Sequence, residues 1–317
     1  METATALQLV DGVDLTGKTC VITGASAGLG RESARALAAT GAHVVLAARN
    51  RGALAETEEW IRADVPNAHT STVQLDLTSL GSVRAAAATI VNITPVIHVL
   101  MNNAGVMFTP FSRTSDGFEM QFGTNHLGHF ELTRLLVSQL LAAGGARIVI
   151  LSSDGHLMSG VDLDDPNWER RDYDKFVAYG ASKTANILHM VELDRRLRDG
   201  GVRAYAVHPG VVATSLARHM TREDFAKLSR YATMEPEAAK EVIDVRHDFT
   251  TPDHGAATQV WAAVSPELAE VGSVYLADCR IREDVAAHAL DQTHALRLWE
   301  LSEELCGNRA GVTGARP

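Results

Sequence analysis

The sequence predicts an α/β fold, a single doubly wound parallel sheet of about seven strands with helices on both faces. Three observations carry this. Short apolar runs alternate with longer helical stretches along most of the chain. The first runs are almost continuously apolar, as in strands buried on both faces. A glycine-rich turn follows the first of them. Strand–helix alternation of this kind builds a parallel sheet.

Residues 18–23 (KTCVIT) read as the first strand and 28–40 as an alanine-rich helix ending before Gly41. Residues 43–47 (HVVLA) form the second strand, and 51–64 a helix that stops before Val65-Pro66. A third strand is expected at 72–77, a helix at 80–91 and a fourth strand at 96–101. A long helical region covers 117–143, followed by a fifth strand at 147–151 (RIVIL). Residues 177–199 read as a long helix, 203–207 as a sixth strand and 273–276 as a short seventh.

The chain has 317 residues, 46% hydrophobic and 21% charged, enough for a sizeable core. That length allows one or two domains. No linker, repeat or low-complexity tract divides it, so residues 1–317 read as one domain. Three segments stand outside the alternation: an insert at 154–178, a stretch at 211–253 and a loose tail at 308–317. The formal charge is −10, which argues against a general nucleic-acid or anionic-membrane binder. No apolar run approaches the ~18–20 residues that span a bilayer. METATALQLVDGVDL lacks the basic start of a signal peptide. Cys20, Cys279 and Cys306 show no CxxC spacing, so neither a disulfide framework nor a zinc site is expected and a cytoplasmic location fits.

TGASAGLG, residues 23–30, lies between the first strand and the first helix. Gly24, Gly28 and Gly30 allow a tight turn and close approach of the backbone to a pyrophosphate. The helix start beyond them offers free N–H groups and a positive dipole end. Ser26 and Leu29 belong to the same expected site. A ligand-free strand–helix turn is the alternative, disfavoured by the placement after the first strand.

The glycine spacing here is G-x-x-x-G-x-G. TGASAGLG, NNAG at 102–105 and YGASK at 179–183 together resemble the single-domain branch of the short-chain dehydrogenase/reductase family, in the family's order and over about residues 15–305. AYGASKTANILHMVEL and the HPG at 208–210 are most similar to its retinol-dehydrogenase-like subgroup. The resemblance implies a Rossmann-type fold, a nicotinamide dinucleotide and an alcohol/carbonyl substrate, lipophilic in this subgroup. It also implies a homodimer or homotetramer paired through two long helices, one of them 177–199.

The second strand ends in Ala47-Ala48-Arg49-Asn50. An NAD site places a carboxylate here, whereas an arginine suits a 2′-phosphate. Arg49 therefore points to NADP(H) in preference to NAD(H), with Arg31 and Arg51 able to add charge. Asp76, followed by Leu77, resembles the family aspartate at the adenine; a turn acid before the next helix is the other reading. Asn103, Ala104 and Gly105 resemble the segment that lines the cofactor.

Tyr179 and Lys183 stand at i and i+4, one face of a helix. A lysine beside a phenol favours the phenolate and lowers its pKa. That would make Tyr179 a general acid–base near neutrality. By resemblance Lys183 also holds the nicotinamide ribose. Tyr173 is the rival tyrosine, but its i+4 neighbour is Val177. Ser153 follows the fifth strand and could donate to a substrate oxyanion. The resemblance picks it over the adjacent Ser152, although its spacing to Tyr179 is longer than the family's.

Asn125, in FGTNHLGHF, resembles the asparagine whose backbone carbonyl holds a water beside the lysine. His126 and His129 lack a third ligand, so they read as a core or solvated pair and no metal is expected. Pro209, Gly210, Val212 and Thr214 match the family segment touching the carboxamide and phosphates. The stretch at 211–253 reads as a substrate lid. The insert carries seven acids and three bases and joins Ser153 to Tyr179, so it either shapes the pocket mouth or is a plain surface loop. Competing functions are a non-catalytic dinucleotide sensor on the same fold, and a nucleotide-sugar epimerase, whose larger C-terminal domain the sequence lacks.

Overall fold

A computed structural model describes residues 4–212, 216, 218, 220, 221, 223, 224 and 250–307. Its sheet has eight strands in the order β3-β2-β1-β4-β5-β6-β7-β8. They are β1 Thr19–Thr23, β2 His43–Ala48, β3 His69–Gln74, β4 Val99–Asn102, β5 Arg147–Leu151, β6 Arg203–Val207, β7 Val274–Ala277 and β8 Arg280–Arg282. All neighbours pair in parallel except β7 and β8. The antiparallel β8 adds an edge strand to the seven expected.

The helices are α1 Gly28–Ala39, α2 Arg51–Asp64, α3 Leu80–Ile93, α4 Met120–Phe122, α5 Gly128–Leu135, α6 Val137–Leu141, α7 Lys175–Leu197, α8 Pro252–Gly255, α9 Ala257–Val264 and α10 Gln292–Leu305. Side-chain caps fix several starts. Asn50 accepts from Ala53 N–H at the head of α2. Asp174 accepts from Phe176 and Val177 N–H, so α7 begins two residues before the expected 177. Such caps contribute about 1 kcal/mol each.

Alternation along the strands sends side chains to two cores. Val21, Val45, Leu100 and Ile148 face one cluster; Cys20, Ile22, Val44, Leu46 and Val149 face the other. The third strand lies at His69–Gln74, short of the expected 77, because β2 pairs it in register from His43↔His69 to Ala48↔Gln74. Leu75 and Leu77 are buried but lie past the strand, so their apolar character reports burial alone. The fourth strand likewise shortens to Val99–Asn102, although Ile97 is buried. The helical region expected at 117–143 is broken into α4, a π-helical turn at Gly123–Leu127, α5 and α6.

Helix α7 is deeply buried: its residues 178–194 are all buried within the single chain. The sheet and the 3-10 turn Asp154–Met158 cover part of it, and α10 packs along it. Most of the expected lid at 211–253 and all of the tail at 308–317 lie outside the described residues. Among the described residues, no helix is long and apolar enough to cross a membrane.

Candidate active site

The strand order reverses between β1 and β4, and ligands of doubly wound sheets bind at the carboxyl edge of that reversal. Thr23 ends β1 there. Its hydroxyl accepts from the N–H groups of Asn103 (2.9 Å) and Ala104 (3.0 Å), and its carbonyl accepts from Asn103 Nδ2 at 2.7 Å. The β4 loop is thereby sewn onto the glycine turn.

The turn itself fits a dinucleotide phosphate. α1 starts at Gly28 behind Ala27, which provides no side-chain cap, so its first N–H groups are left for an anion. Gly24 has φ +68° and Gly28 φ +53°, left-handed values that favour glycine. A Cβ on Gly30 would stand 2.4 Å from the Gly24 carbonyl oxygen. Ser26 and Leu29 lie half-buried in the same turn.

Arg49 is exposed just past β2, with its carbonyl accepting from Gln74 Nε2 at 3.1 Å. Asp76 spends one carboxylate oxygen on Thr78, accepting from its N–H (2.9 Å) and hydroxyl (2.8 Å). The turn-acid reading thus accounts for one oxygen of Asp76. Leu77 is buried, its carbonyl against Gly128. Pro209 and Gly210 follow β6, Gly210 at φ +80°. Val212 forms an isolated bridge with Thr250. Thr214 lies outside the described residues.

Tyr179 and Ser153 are brought together: the turn that carries Ser153 lies on the tyrosine ring, and the serine side chain favours the phenolate. Ser152 points elsewhere, its hydroxyl donating to the Lys183 carbonyl at 2.9 Å. Ser153 accepts from Gly155 N–H at 3.1 Å, which fixes the 3-10 turn after β5. Lys183 lies one turn beyond Tyr179. Its Nζ donates to the Leu151 carbonyl at 3.1 Å and stands 5.6 Å from the Tyr179 ring centroid. A Cβ on Gly105 would stand 3.8 Å from that Nζ, so the β4 loop passes beside the lysine.

The electrostatics correct one expectation. Burial pushes the Tyr179 phenol up to about 12, and the Ser153 side chain opposes the rise. Burial also brings Lys183 down to about 8. Desolvation acts on both charged forms at once, and here it outweighs their proximity.

Asn125 sits in the π-helical turn, a geometry often found at functional sites. Its side chain is fully used: Oδ1 accepts from Val106 N–H, and Nδ2 donates to the Val106 carbonyl and the Ser182 hydroxyl. The His129 ring bridges its backbone carbonyl (Nδ1, 2.9 Å) to the Thr23 hydroxyl (Nε2, 2.9 Å). A carbonyl only accepts, so Nδ1 carries the proton and Nε2 accepts from Thr23. His126 and His129 are core residues.

Three residues had no sequence signal of their own. Gly155 lies flat on the tyrosine, where a Cβ would stand 2.8 Å from Tyr179 Cε1. Gly180, inside YGASK, lets the Gly155 carbonyl approach, at 2.8 Å from where its Cβ would be. Phe108 meets the Tyr179 ring edge-on, centroids 4.9 Å apart. Met107, Met158 and Met220 pack partly buried around the same cluster. Tyr173, the rival, stands within hydrogen-bond reach of Glu119, Gln121 and the Thr109 carbonyl.

A family profile described as short chain dehydrogenase matches residues 18–224. The chain is 40% identical over 297 residues to mouse (Mus musculus) retinol dehydrogenase 12, covering 93% of this chain and 88% of that protein. It is 37% identical over 314 residues to the chloroplastic short-chain dehydrogenase TIC 32 A of Brassica napus, covering 95% and 92%. The solved structure of an uncharacterized protein from Mycobacterium paratuberculosis superposes with a TM-score of 0.73 at 33% identity, covering 96% of this chain and 98% of that one. The chain therefore belongs to the short-chain dehydrogenase family, in its retinol-dehydrogenase-like subgroup.

Proposed function

We propose that the protein is an NADP(H)-dependent oxidoreductase that interconverts an apolar carbonyl compound and its alcohol. The observation that carries this is the packing of the Ser153 turn on Tyr179 at the carboxyl edge of the sheet, with Lys183 one helical turn away. A bound nicotinamide supplies or accepts the hydride. Ser153 orients the substrate oxygen, and Tyr179 exchanges a proton with it. With its pKa near 12 the phenol is protonated at neutral pH, ready to act as the acid in carbonyl reduction. Lys183 holds the nicotinamide ribose, and the Asn125 carbonyl serves the proton path behind it.

NADP(H) is favoured because Arg49 stands exposed at the end of β2 and the next side chain, Asn50, caps α2. No carboxylate occupies the position that would accept from a ribose 2′-hydroxyl. An apolar substrate is favoured by the aromatic and methionine surround of Tyr179. Residues 178–194 of α7, in the helix expected to pair two chains, are buried within the single chain.

The test is NADPH oxidation, followed by absorbance, across aldehydes, ketones, steroids and retinoids. Tyr179→Phe is the control, and full activity in that variant would sink the assignment of the proton donor. For the cofactor, Arg49→Ala is expected to weaken NADPH binding about 10- to 100-fold, about 1.4–2.8 kcal/mol, and to leave NADH binding unchanged. Equal NADPH affinity in both proteins removes Arg49 from the account.

A further inference from the structure

Phe108 has φ +51°, a left-handed backbone that a bulky residue rarely adopts. Such strain persists only where surrounding contacts over-determine it. Those contacts are present here. Phe108 N–H donates to Gln121 Oε1 at 2.8 Å. Gln121 Nε2 donates in turn to the Tyr173 hydroxyl and the Lys175 carbonyl, both at 2.9 Å. The Tyr173 hydroxyl has one proton to give, and two acceptors stand within its reach, Glu119 Oε1 (2.9 Å) and the Thr109 carbonyl (3.1 Å). Glu119 itself caps α4 through Gln121 and Phe122 N–H. One phenol from the insert therefore meets Gln121, which holds the Phe108 N–H, and lies beside the carbonyl of the next residue, Thr109.

The ring held in this way packs on the Phe176 ring (4.6 Å between centroids) and edge-on to Tyr179. With Met107, Met158 and Met220 it forms an apolar cluster against the tyrosine ring. Methionines adapt their shape to a ligand, whereas a strained, pinned aromatic ring does not. Two kinds of surface thus meet at one site, and the rigid one comes with the insert attached.

We propose that Phe108 selects substrates with an extended apolar tail, and that Tyr173 of the insert is the positioning residue that holds it in place. This rests on the oxidoreductase reading above and gives the 154–178 insert a role in specificity.

The test is isothermal titration of 1-decanol and 1-butanol into the full chain, which needs no turnover. Wild type is expected to bind decanol at least tenfold more tightly than butanol. Tyr173→Phe keeps the ring but deletes the hydroxyl, and should cut that preference at least fivefold. Phe108→Gly accepts the backbone angle and removes the ring, and should cut it as far. Thermal melts establish that each variant is folded, and if one is not, the other decides. Equal binding of the two alcohols by wild type overturns the proposal, and so does an unchanged preference in a folded variant. Absence of NADPH-dependent turnover in wild type would count against the oxidoreductase reading alone, since the binding ratio still decides the role of Phe108.

Discussion

The proposed cofactor side and the proposed substrate side of this site are built differently. On the cofactor side, position comes from backbone. Gly24, Gly28 and Gly30 turn the chain, and Thr23 holds the next loop by main-chain N–H groups. On the substrate side, position comes from side chains far apart in sequence: Phe108 on Tyr179 and Gln121 on Tyr173. Backbone devices tolerate almost no substitution, while side-chain devices can be retuned without dismantling the fold. One scaffold can thereby keep its cofactor and change its substrate.

The largest expected effect tests the first half of that contrast. In Gly30→Ala the new Cβ would fall 2.4 Å from the Gly24 carbonyl oxygen and 2.5 Å from Asn103 Nδ2. One of these contacts is backbone, so the turn itself must move. A cost of up to about 3 kcal/mol in stability is expected, with loss of measurable dinucleotide binding. Retained NADPH affinity, read by titration, would mean that the turn is less rigid than its geometry implies.

Gly155→Ala tests the second half. Its Cβ would press on Tyr179 at 2.8 and 3.0 Å, on a ring wedged among Phe108, Phe176 and Met158. Displacing a catalytic group by about 1 Å can cost about 100-fold in rate. Turnover is expected to drop on that scale while dinucleotide affinity holds. If both fall together, the two sides are coupled and the contrast is wrong.

The same contrast explains what could be read from sequence. The glycine spacing and the i, i+4 pair of Tyr179 and Lys183 are local, so the pattern shows directly in the residues. Gly155 and Phe108 acquire their roles only when β5, α7 and the β4 loop meet, and nothing nearby marks them. Leu75 and Leu77 mislead for a related reason: apolar character records burial, whereas hydrogen-bond register decides where β3 stops. The pKa of Tyr179 was not legible either. The lysine could be seen in the sequence, but the complete burial that outweighs it could not.

A seam of buried imidazoles runs from Thr23 to α10, and it supplies a gradable effect. His129 links Thr23 to Asn125, His126 bonds the Ser302 hydroxyl of α10, and His189 lies in α7, its ring edge-on to that of His126. Burial holds His126 at about 3 and His129 at about 4, and puts His189 well below its ordinary value. All three are neutral in the folded protein, whereas in the unfolded chain each takes a proton near pH 6.5. Their contribution to stability is therefore complete above about pH 6.5 and declines as the pH falls. The loss is up to about 1.4 kcal/mol per pH unit per ring, until the folded values are reached. Unfolding midpoints in urea between pH 7 and 5 should show this slope before the carboxylates contribute. Neither ring nitrogen of His189 has a hydrogen-bond partner among the described residues, so His189→Leu should fold and remove one ring's share of the slope. An unchanged slope would mean that His189 already binds its proton in the folded protein, and the seam would then be charged instead of apolar.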